Sequence, residues 1–438
     1  MFLSNSNGLG INRSEYGYGA ARLLVIILLA ISIIFPGGLI PVKVGVFLLI
    51  LVIVVISMIT GRVSLSLNLY LLSLFYALVG LAWSFYGELL GNPGAMKVMT
   101  VMVAYPILFP LFSPLYREED NSSLYRLFLI CAWIIVAIDL VYVLNYFNSI
   151  GNTLHTILTS IYGDVKTDVQ FADNNVSIQL MNVNSIIFLL PFFLSYLFFS
   201  KSRGGKVYIY ILVLLMITTG LLANRRAVLL TAILGPVIAF FITTNSPQDQ
   251  GKLKGSRWWI VSFTIALVIW IFYSVHSSVL KYYIDLTIST FNFTDDYSNG
   301  IRVSQFHSLL DGIYDAPFWG HGAGAVAGVI RSVQTPWTYE LTYVAFIFHY
   351  GIICFVIYAF GIVFLCRQLI SSIKKNGRSS FEFYFLSGFI SFMLANATNP
   401  YLESFDFMWV LFIPYAIVNR RLLQRKLRID LAPAKRIP

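Results

Sequence analysis

The sequence predicts an all-α polytopic membrane protein with about twelve transmembrane helices. Apolar residues make up 58% of the 438 residues and charged residues only 11%, a composition that excludes an ordinary soluble domain. The apolar residues also fall into runs of roughly 17–25 residues, the length that crosses a hydrocarbon core of ~30 Å. We therefore expect residues 1–438 to form a single integral membrane domain.

The candidate spans are twelve apolar runs, most of them separated by short polar turns. They lie at about 22–40, 42–60, 65–86, 96–115, 124–147, 178–199, 206–222, 226–244, 258–276, 338–366, 381–397 and 405–419. Two connections are long, at 148–177 and 277–337. A long loop in a compact membrane protein is usually functional, so these two loops are the first places to look for a site.

Positive charges divide unequally between the two sides of the predicted membrane. Because the number of spans is even, both termini lie on one side, and that side carries 22 of the 30 Lys and Arg residues. Cytoplasmic loops are enriched in these residues, so both termini are predicted to be cytoplasmic and both long loops external. The net charge of +10 then reflects topology and contact with anionic lipid, and nucleic-acid binding is not expected.

Cysteine and histidine spacing indicates neither a disulfide framework nor a metal site. Cys131, Cys354 and Cys366 all lie within predicted spans, and the five histidines are scattered without the i,i+4 pairing of a ligand set. We expect no metal and no cofactor.

Two adjacent arginines, Arg225 and Arg226, open the eighth span at its external end. A helix N-terminus favours anions, and guanidinium groups bind phosphate bidentately. The pair therefore predicts a diphosphate-binding site. The alternative is that both side chains snorkel to lipid phosphates.

Residues 302–314, within the loop 277–337, have the pattern of an interfacial helix. Val303, Phe306, Leu310 and Ile313 would share one apolar face on the outer leaflet. Arg302 and Gln305 lie beside that stripe and are expected to face the headgroup zone. Arg302 is thus a third candidate cation for an anion; its alternative role is to anchor the helix to headgroups.

Glu340 stands at the external start of the tenth span, after a glycine-rich segment at 317–324 that contains His321. A carboxylate at the membrane edge beside arginines can serve as a general base, with His321 as a second candidate. The alternative for Glu340 is a carboxylate that only stabilises the helix N-terminus. The glycines would let backbone approach a ligand closely, although an ordinary loop turn fits them equally well.

Aromatic and amide side chains near the external face are candidates for sugar contacts. Such rings populate membrane interfaces in general, but sugar rings also stack on them. The candidate substrate-binding residues are Gln305, Trp319, Tyr339, Asn399 and Tyr401.

The order of these motifs resembles that of the bacterial O-antigen polymerase and ligase superfamily of membrane glycosyltransferases. The resemblance covers residues 178–415 and rests on four short segments and their context. They are Asn224-Arg225-Arg226-Ala227, Gly300-Ile301-Arg302, Asp315-Ala316-Pro317-Phe318-Trp319-Gly320-His321-Gly322 and Thr398-Asn399-Pro400, with a span beginning near Glu340 and containing Gly351-Ile352-Ile353.

The resemblance implies a GT-C-like fold in the bacterial inner membrane, with a metal-independent site facing the periplasm. Its substrates would be undecaprenyl-diphosphate-linked oligosaccharides, and membrane lipid, a chain-length regulator and a flippase would be its candidate partners. In that scheme Arg225, Arg226 and Arg302 would bind the leaving diphosphate, and Glu340 would take the acceptor proton, with His321 as the second choice.

Three functions fit this resemblance and topology to different degrees. Ligases of the superfamily carry a His-Asn pair where this chain has Tyr339-Glu340-Leu341, a departure that favours an O-antigen polymerase. A flippase for lipid-linked oligosaccharide would show two similar halves and short external loops, which this chain lacks. Ligase and flippase remain the alternatives to polymerase.

Overall fold

The computed structural model describes residues 11–61, 64–116, 120–148, 156–157, 160–161, 169–172, 175–178, 181–200, 206–223, 226–243 and 297–431. The predicted ninth span at 258–276 lies outside the described residues, as do Arg225 and the first part of the long loop 277–337.

The first half of the chain forms helices of mostly membrane-spanning length. They are α1 (Ile11–Ile34), α2 (Ile40–Ile59), α3 (Leu67–Leu89), α4 (Ala95–Met99), α5 (Tyr105–Phe112) and α6 (Asp120–Asn148). A π-helical turn, Thr100–Ala104, joins α4 to α5 without a break, and a 3₁₀ turn, Ser113–Leu115, follows α5. Together these segments make one apolar helical unit from Ala95 to Leu115.

The described residues of the second half begin with a short hairpin and continue with seven helices. The strands are β1 (Val169–Ala172) and β2 (Asn175–Ile178), and the helices are α7 (Val183–Phe199), α8 (Val207–Leu222), α9 (Arg226–Ile242), α10 (Tyr297–Asp315), α11 (Thr342–Asn376), α12 (Phe381–Asn396) and α13 (Trp409–Leu431). Two 3₁₀ turns, Tyr401–Glu403 and Phe405–Phe407, lie between α12 and α13.

These helices confirm the prediction of a helical membrane protein in its coarse form. Five segments of the described chain are long and apolar enough to cross a membrane: Ile40–Ile59, Leu67–Leu89, Ala95–Leu115, Asn121–Tyr142 and Thr342–Asn376. Among the described residues, helices overlap eleven of the twelve predicted spans, and the twelfth, 258–276, lies outside them. The number of crossings and the GT-C-like arrangement stay predictions.

One short hairpin accompanies the helices in the part of the chain that the structure describes. Its strands pair antiparallel, with Val169 opposite Ile178, and both belong to the predicted loop 148–177 or its edge. The sequence carries the signal, since apolar residues alternate at Val169 and Phe171 and again at Val176 and Ile178, around an Asp-Asn pair suited to a turn.

The centre of the molecule is an aromatic core around α7, which packs against α9 and α12. Phe188 of α7 lies 5.0 Å from Phe385 and 4.7 Å from Trp409 between ring centroids. Small residues let the helix backbones approach: a Cβ on Gly388 would lie 2.7 Å from the carbonyl oxygen of Phe188. Small residues at such crossings are typical of helices packed in a membrane.

Segments predicted to lie on the external side contact one another. The backbone N–H of Gly37 donates to Asp406 Oδ2 at 2.6 Å, which joins the α1–α2 turn to the α12–α13 turn. Asn92 Nδ2 donates to the carbonyl oxygen of His321 at 2.8 Å, which joins the α3–α4 turn to the segment after α10. Each contact pairs two loops that the charge pattern assigns to the same side.

Segments predicted to be cytoplasmic also meet. The backbone N–H of Ser66, before α3, donates to Asn419 Oδ1 at 2.8 Å. Arg378 Nη2 donates to the carbonyl oxygen of Thr243 at 2.9 Å, which links the α11–α12 turn to the end of α9. The two sets of contacts agree with an alternating order of spans.

Helix α10 confirms the predicted helix in the long loop, but its buried face differs from the predicted one. Gln305 and Leu309 are buried, whereas Val303 and Phe306 are each 38% exposed. Arg302 and Gln305 therefore face α11 and not the headgroup zone, because α10 is held by packing against protein. The side predicted to be polar is the side that the protein covers.

Candidate functional site

The long external loop brings two arginines onto one carboxylate. Arg302 Nε donates to Glu340 Oε2 at 2.5 Å, and Arg331 Nη1 pairs with Glu340 Oε1. Each carboxylate oxygen is thus held by a different guanidinium. The Glu340 side chain is 15% exposed, whereas Arg302 is 33% and Arg331 41% exposed, so the cations border solvent and the acid lies behind them.

Packing of α10 places Arg302 in this cluster. Leu309 is buried in a small apolar group with Tyr339, Ala345 and Phe348, and it lies two turns after Arg302 on the same face. At Gly312 a Cβ would lie 2.4 Å from the Phe348 ring, so the absent side chain allows α10 to approach α11. This close fit sets the position of Arg302 relative to the start of α11.

A local hydrogen bond places Arg331 beside Glu340. The backbone N–H of Ala327 donates to the Tyr339 hydroxyl at 2.5 Å, and Tyr339 is buried. This bond closes the segment between the two residues into a loop whose end is adjacent to Glu340. Arg331 lies within that loop, and its guanidinium therefore reaches the Glu340 carboxylate.

Gln305 adds a buried polar group to the same helix face. It lies one turn after Arg302 and is fully buried, and neither its amide nitrogen nor its amide oxygen has a hydrogen-bond partner among the described residues. A buried amide without a partner costs about 1–3 kcal/mol. Water or a ligand commonly explains such a group.

The glycine-rich segment 317–324 approaches protein backbone. His321 N–H donates to the Phe348 carbonyl at 2.9 Å, and Ile352 N–H donates to the Pro317 carbonyl at 2.9 Å. Both contacts flank Gly351, where α11 is kinked with φ 71°. A Cβ on Gly320 would lie 2.6 Å from the His349 carbonyl oxygen. The glycines therefore let this segment dock onto the kink.

His321 is bonded to α10. Its Nε2 lies 2.8 Å from the Gly312 carbonyl oxygen, and its ring lies 4.8 Å from the Phe348 ring. The Nε2 atom therefore carries the proton and donates. Within the described residues no hydrogen bond joins His321 to Glu340, and its role as a second base stays a prediction.

The arginine pair at the eighth span is not joined to this cluster by any described contact. Helix α9 begins at Arg226 as predicted, but Arg225 and the side chain of Arg226 lie outside the described residues. Their role in binding diphosphate stays a prediction.

The candidate sugar contacts differ in their exposure. Trp319 is 61% exposed and stacks on Trp83 at 5.6 Å, so one face of a rigid aromatic pair is accessible. Tyr339 and Tyr401 are buried, and a sugar could reach their rings only if the surrounding residues moved. Asn399 is half-buried in the α12–α13 turn, where its Nδ2 donates to Thr398 Oγ1 at 3.4 Å.

Two residues of interest were missed by the sequence reasoning. Arg331 counted only as one external cation, because it belongs to no motif or periodic face. Glu403 belongs to no motif either; desolvation by the surrounding protein raises the pKa of its carboxylate above the ordinary value. Neither feature has a signature in sequence, since both depend on contacts between distant segments.

No group of three or more potential metal ligands lies within the part of the chain that the structure describes. A comparison with protein-family models gives no match, and neither does a comparison with curated protein sequences.

Proposed function

We propose that this protein is an O-antigen polymerase, a membrane glycosyltransferase that joins undecaprenyl-diphosphate-linked repeat units of a surface polysaccharide. The observation that carries the proposal is the cluster of Arg302, Arg331 and Glu340 on a segment predicted to be external. Two guanidiniums and a carboxylate at the end of a long apolar helix provide an anion site and a base at the membrane edge. The motif order that resembles the polymerase and ligase superfamily supports the same reading.

The arginines fit the charge that develops in this reaction. The bond from the anomeric carbon to the lipid diphosphate breaks, and negative charge grows on the leaving oxygen. Preorganised guanidiniums bind that charge more tightly in the transition state than in the ground state, which is the requirement for catalysis. Arg302 and Arg331 are within reach of one shared anion, because they already share the Glu340 carboxylate.

Glu340 is the proposed base for the acceptor sugar. The acceptor hydroxyl loses a proton as its oxygen bonds to the anomeric carbon, and a positioned carboxylate accelerates such a transfer. The exposed face of Trp319, 61% accessible, offers a stacking surface for a sugar on the same loop. The lipid tails would lie along the apolar helices.

The proposed location is a bacterial inner membrane, with cytoplasmic termini and a periplasmic site. The unequal division of the 30 Lys and Arg residues supports this orientation. The contacts of Gly37 with Asp406 and of Ser66 with Asn419 support the pairing of loops on each side. A chain-length regulator and a flippase that delivers repeat units are proposed partners.

Cysteine labelling tests this orientation. In a background without Cys131, Cys354 and Cys366, Gln334→Cys should react with an impermeant thiol reagent on intact spheroplasts. Lys375→Cys should react only after permeabilisation. Both positions are exposed, so access depends on the side of the membrane. The reverse pattern would refute the orientation and the periplasmic site.

Elongation by purified protein tests the function. The protein in liposomes, supplied only with its undecaprenyl-diphosphate-linked repeat unit, should produce a ladder of longer products. A ligase needs a lipid A core acceptor, and a flippase moves the substrate without changing its mass. A chelator should leave the rate unchanged. If folded protein supplied with its native repeat unit does not elongate it, the polymerase proposal is wrong.

A further inference from the structure

We infer that Glu340 is the resting occupant of an anion site formed by Arg302 and Arg331, and that the donor's diphosphate binds by displacing this carboxylate. The inference rests on the proposed function for the identity of the anion. It adds that in the resting protein Glu340 and the two arginines occupy each other, so neither the base nor the diphosphate site is available. Binding of the donor diphosphate makes both available at once.

The geometry is that of an occupied anion site. Each Glu340 oxygen is held by a different guanidinium. Oε2 lies 2.5 Å from Arg302 Nε, and Oε1 pairs with Arg331 Nη1. Guanidinium N–H groups donate to carboxylate and phosphate oxygens alike. A phosphate that enters the cluster can therefore replace the carboxylate at the same donors.

The exposure of the three side chains indicates the direction of entry. Arg331 is 41% exposed and Arg302 33%, while Glu340 is 15% exposed. A ligand from solvent meets the two cations first. Within these three side chains, two guanidiniums face one carboxylate.

Gln305 supplies a neutral hydrogen-bonding group next to the site. It follows Arg302 by one turn on the face of α10 that the protein covers, and both of its amide atoms lack partners among the described residues. An amide can donate to an oxyanion and can accept a proton-bearing group. Gln305 therefore has unused hydrogen-bonding capacity on the helix face that carries Arg302.

Displacement would couple donor binding to proton transfer. While both arginines hold Glu340, each of its carboxylate oxygens is engaged by a guanidinium and is not positioned to accept from a sugar hydroxyl. Once diphosphate has taken the guanidiniums, the acceptor hydroxyl oxygen attacks the anomeric carbon and its proton passes to Glu340. The bond to the diphosphate breaks, and its electron pair leaves on the diphosphate oxygen. Glu340 then returns the proton to water and rebinds the arginines as the product leaves.

Binding of inorganic pyrophosphate tests the inference without catalysis. Full-length protein in nanodiscs of neutral lipid is titrated calorimetrically. Glu340→Gln should bind pyrophosphate at least ~10-fold more tightly than wild type, about 1.4 kcal/mol, because the competing carboxylate is gone. Glu340→Gln combined with Arg331→Ala should lose that gain. Glu88→Gln, which neutralises an exposed carboxylate at the predicted external end of α3, should leave binding unchanged.

Equal or weaker binding by Glu340→Gln would overturn the inference, since a carboxylate that merely orients the arginines would weaken binding when removed. If that variant unfolds, Arg331→Ala alone should weaken wild-type binding at least ~10-fold, and unchanged binding would overturn the inference. A gain in neutral-lipid nanodiscs that phosphatidylglycerol nanodiscs abolish would assign the site to lipid headgroup phosphates and overturn the diphosphate version. A gain with pyrophosphate but no elongation would uphold the anion site and reject the polymerase.

Discussion

Replacing Arg302 or Arg331 with alanine should lower the rate of chain growth by a factor of ~10²–10³. Each substitution removes one charge-assisted contact to the departing diphosphate, a loss of about 3–4 kcal/mol of transition-state stabilisation. The same loss is expected for Arg225→Ala and Arg226→Ala. Product ladders made by equal amounts of purified variants measure the effect.

Two controls separate catalysis from folding. Arg302→Lys keeps the charge but loses the planar fork, so it should recover little activity. Arg367→Ala removes an exposed arginine from the predicted cytoplasmic half of α11 and should elongate like wild type. Thermal unfolding in detergent checks that each variant is folded. If both single variants, Arg302→Ala and Arg331→Ala, still produce full ladders, then these arginines do not bind the leaving diphosphate.

The helices could be predicted because their signal is local. A run of apolar residues of membrane-spanning length predicts a helix wherever it occurs, and eleven predicted spans overlap helices of the structure. Boundaries were less accurate: α1 begins at Ile11 and ends at Ile34, earlier than the predicted 22–40 at both ends. Helix ends depend on capping and packing, which hydropathy does not report.

The site could be predicted only in part. Arg302 and Glu340 were each singled out for their chemistry, but their pairing joins residues 38 positions apart through an irregular segment. Arg331 had no local signature, and its place depends on the bond between Ala327 and Tyr339. The face of α10 was misassigned because its apolar stripe suggested lipid, whereas close packing at Gly312 turned Arg302 and Gln305 toward protein.

A buried ion pair on the predicted external side should make a large contribution to stability, because it holds the first and last interhelical turns of the described chain together. Lys43 is 2% exposed; its Nζ donates to Asp406 Oδ1 and to the Phe35 carbonyl at 2.6 Å. Asp406 Oδ2 accepts the Gly37 N–H at 2.6 Å. The pair thus connects the α1–α2 turn with the α12–α13 turn, and every charged atom has a partner.

Asp406→Ala should destabilise the protein by about 3–5 kcal/mol, because it leaves the Lys43 ammonium buried without a counter-ion. The reduction appears as a lower midpoint of unfolding in detergent, followed by tryptophan fluorescence. Asp311→Ala, which removes an exposed carboxylate from α10, is the matched control and should change stability by less than about 0.5 kcal/mol. Equal midpoints for the two variants would contradict the prediction.

The double variant Lys43→Met and Asp406→Leu decides what the pair contributes. Single removal strands a charge, whereas replacing both partners with apolar groups of similar volume removes the desolvation cost along with the attraction. The double variant should therefore be more stable than Asp406→Ala and close to wild type. Gly37 N–H loses its acceptor in both variants, so this loss cancels in the comparison. If the double variant is as unstable as Asp406→Ala, then the hydrogen bond to Gly37, and not the ion pair, holds the two turns together.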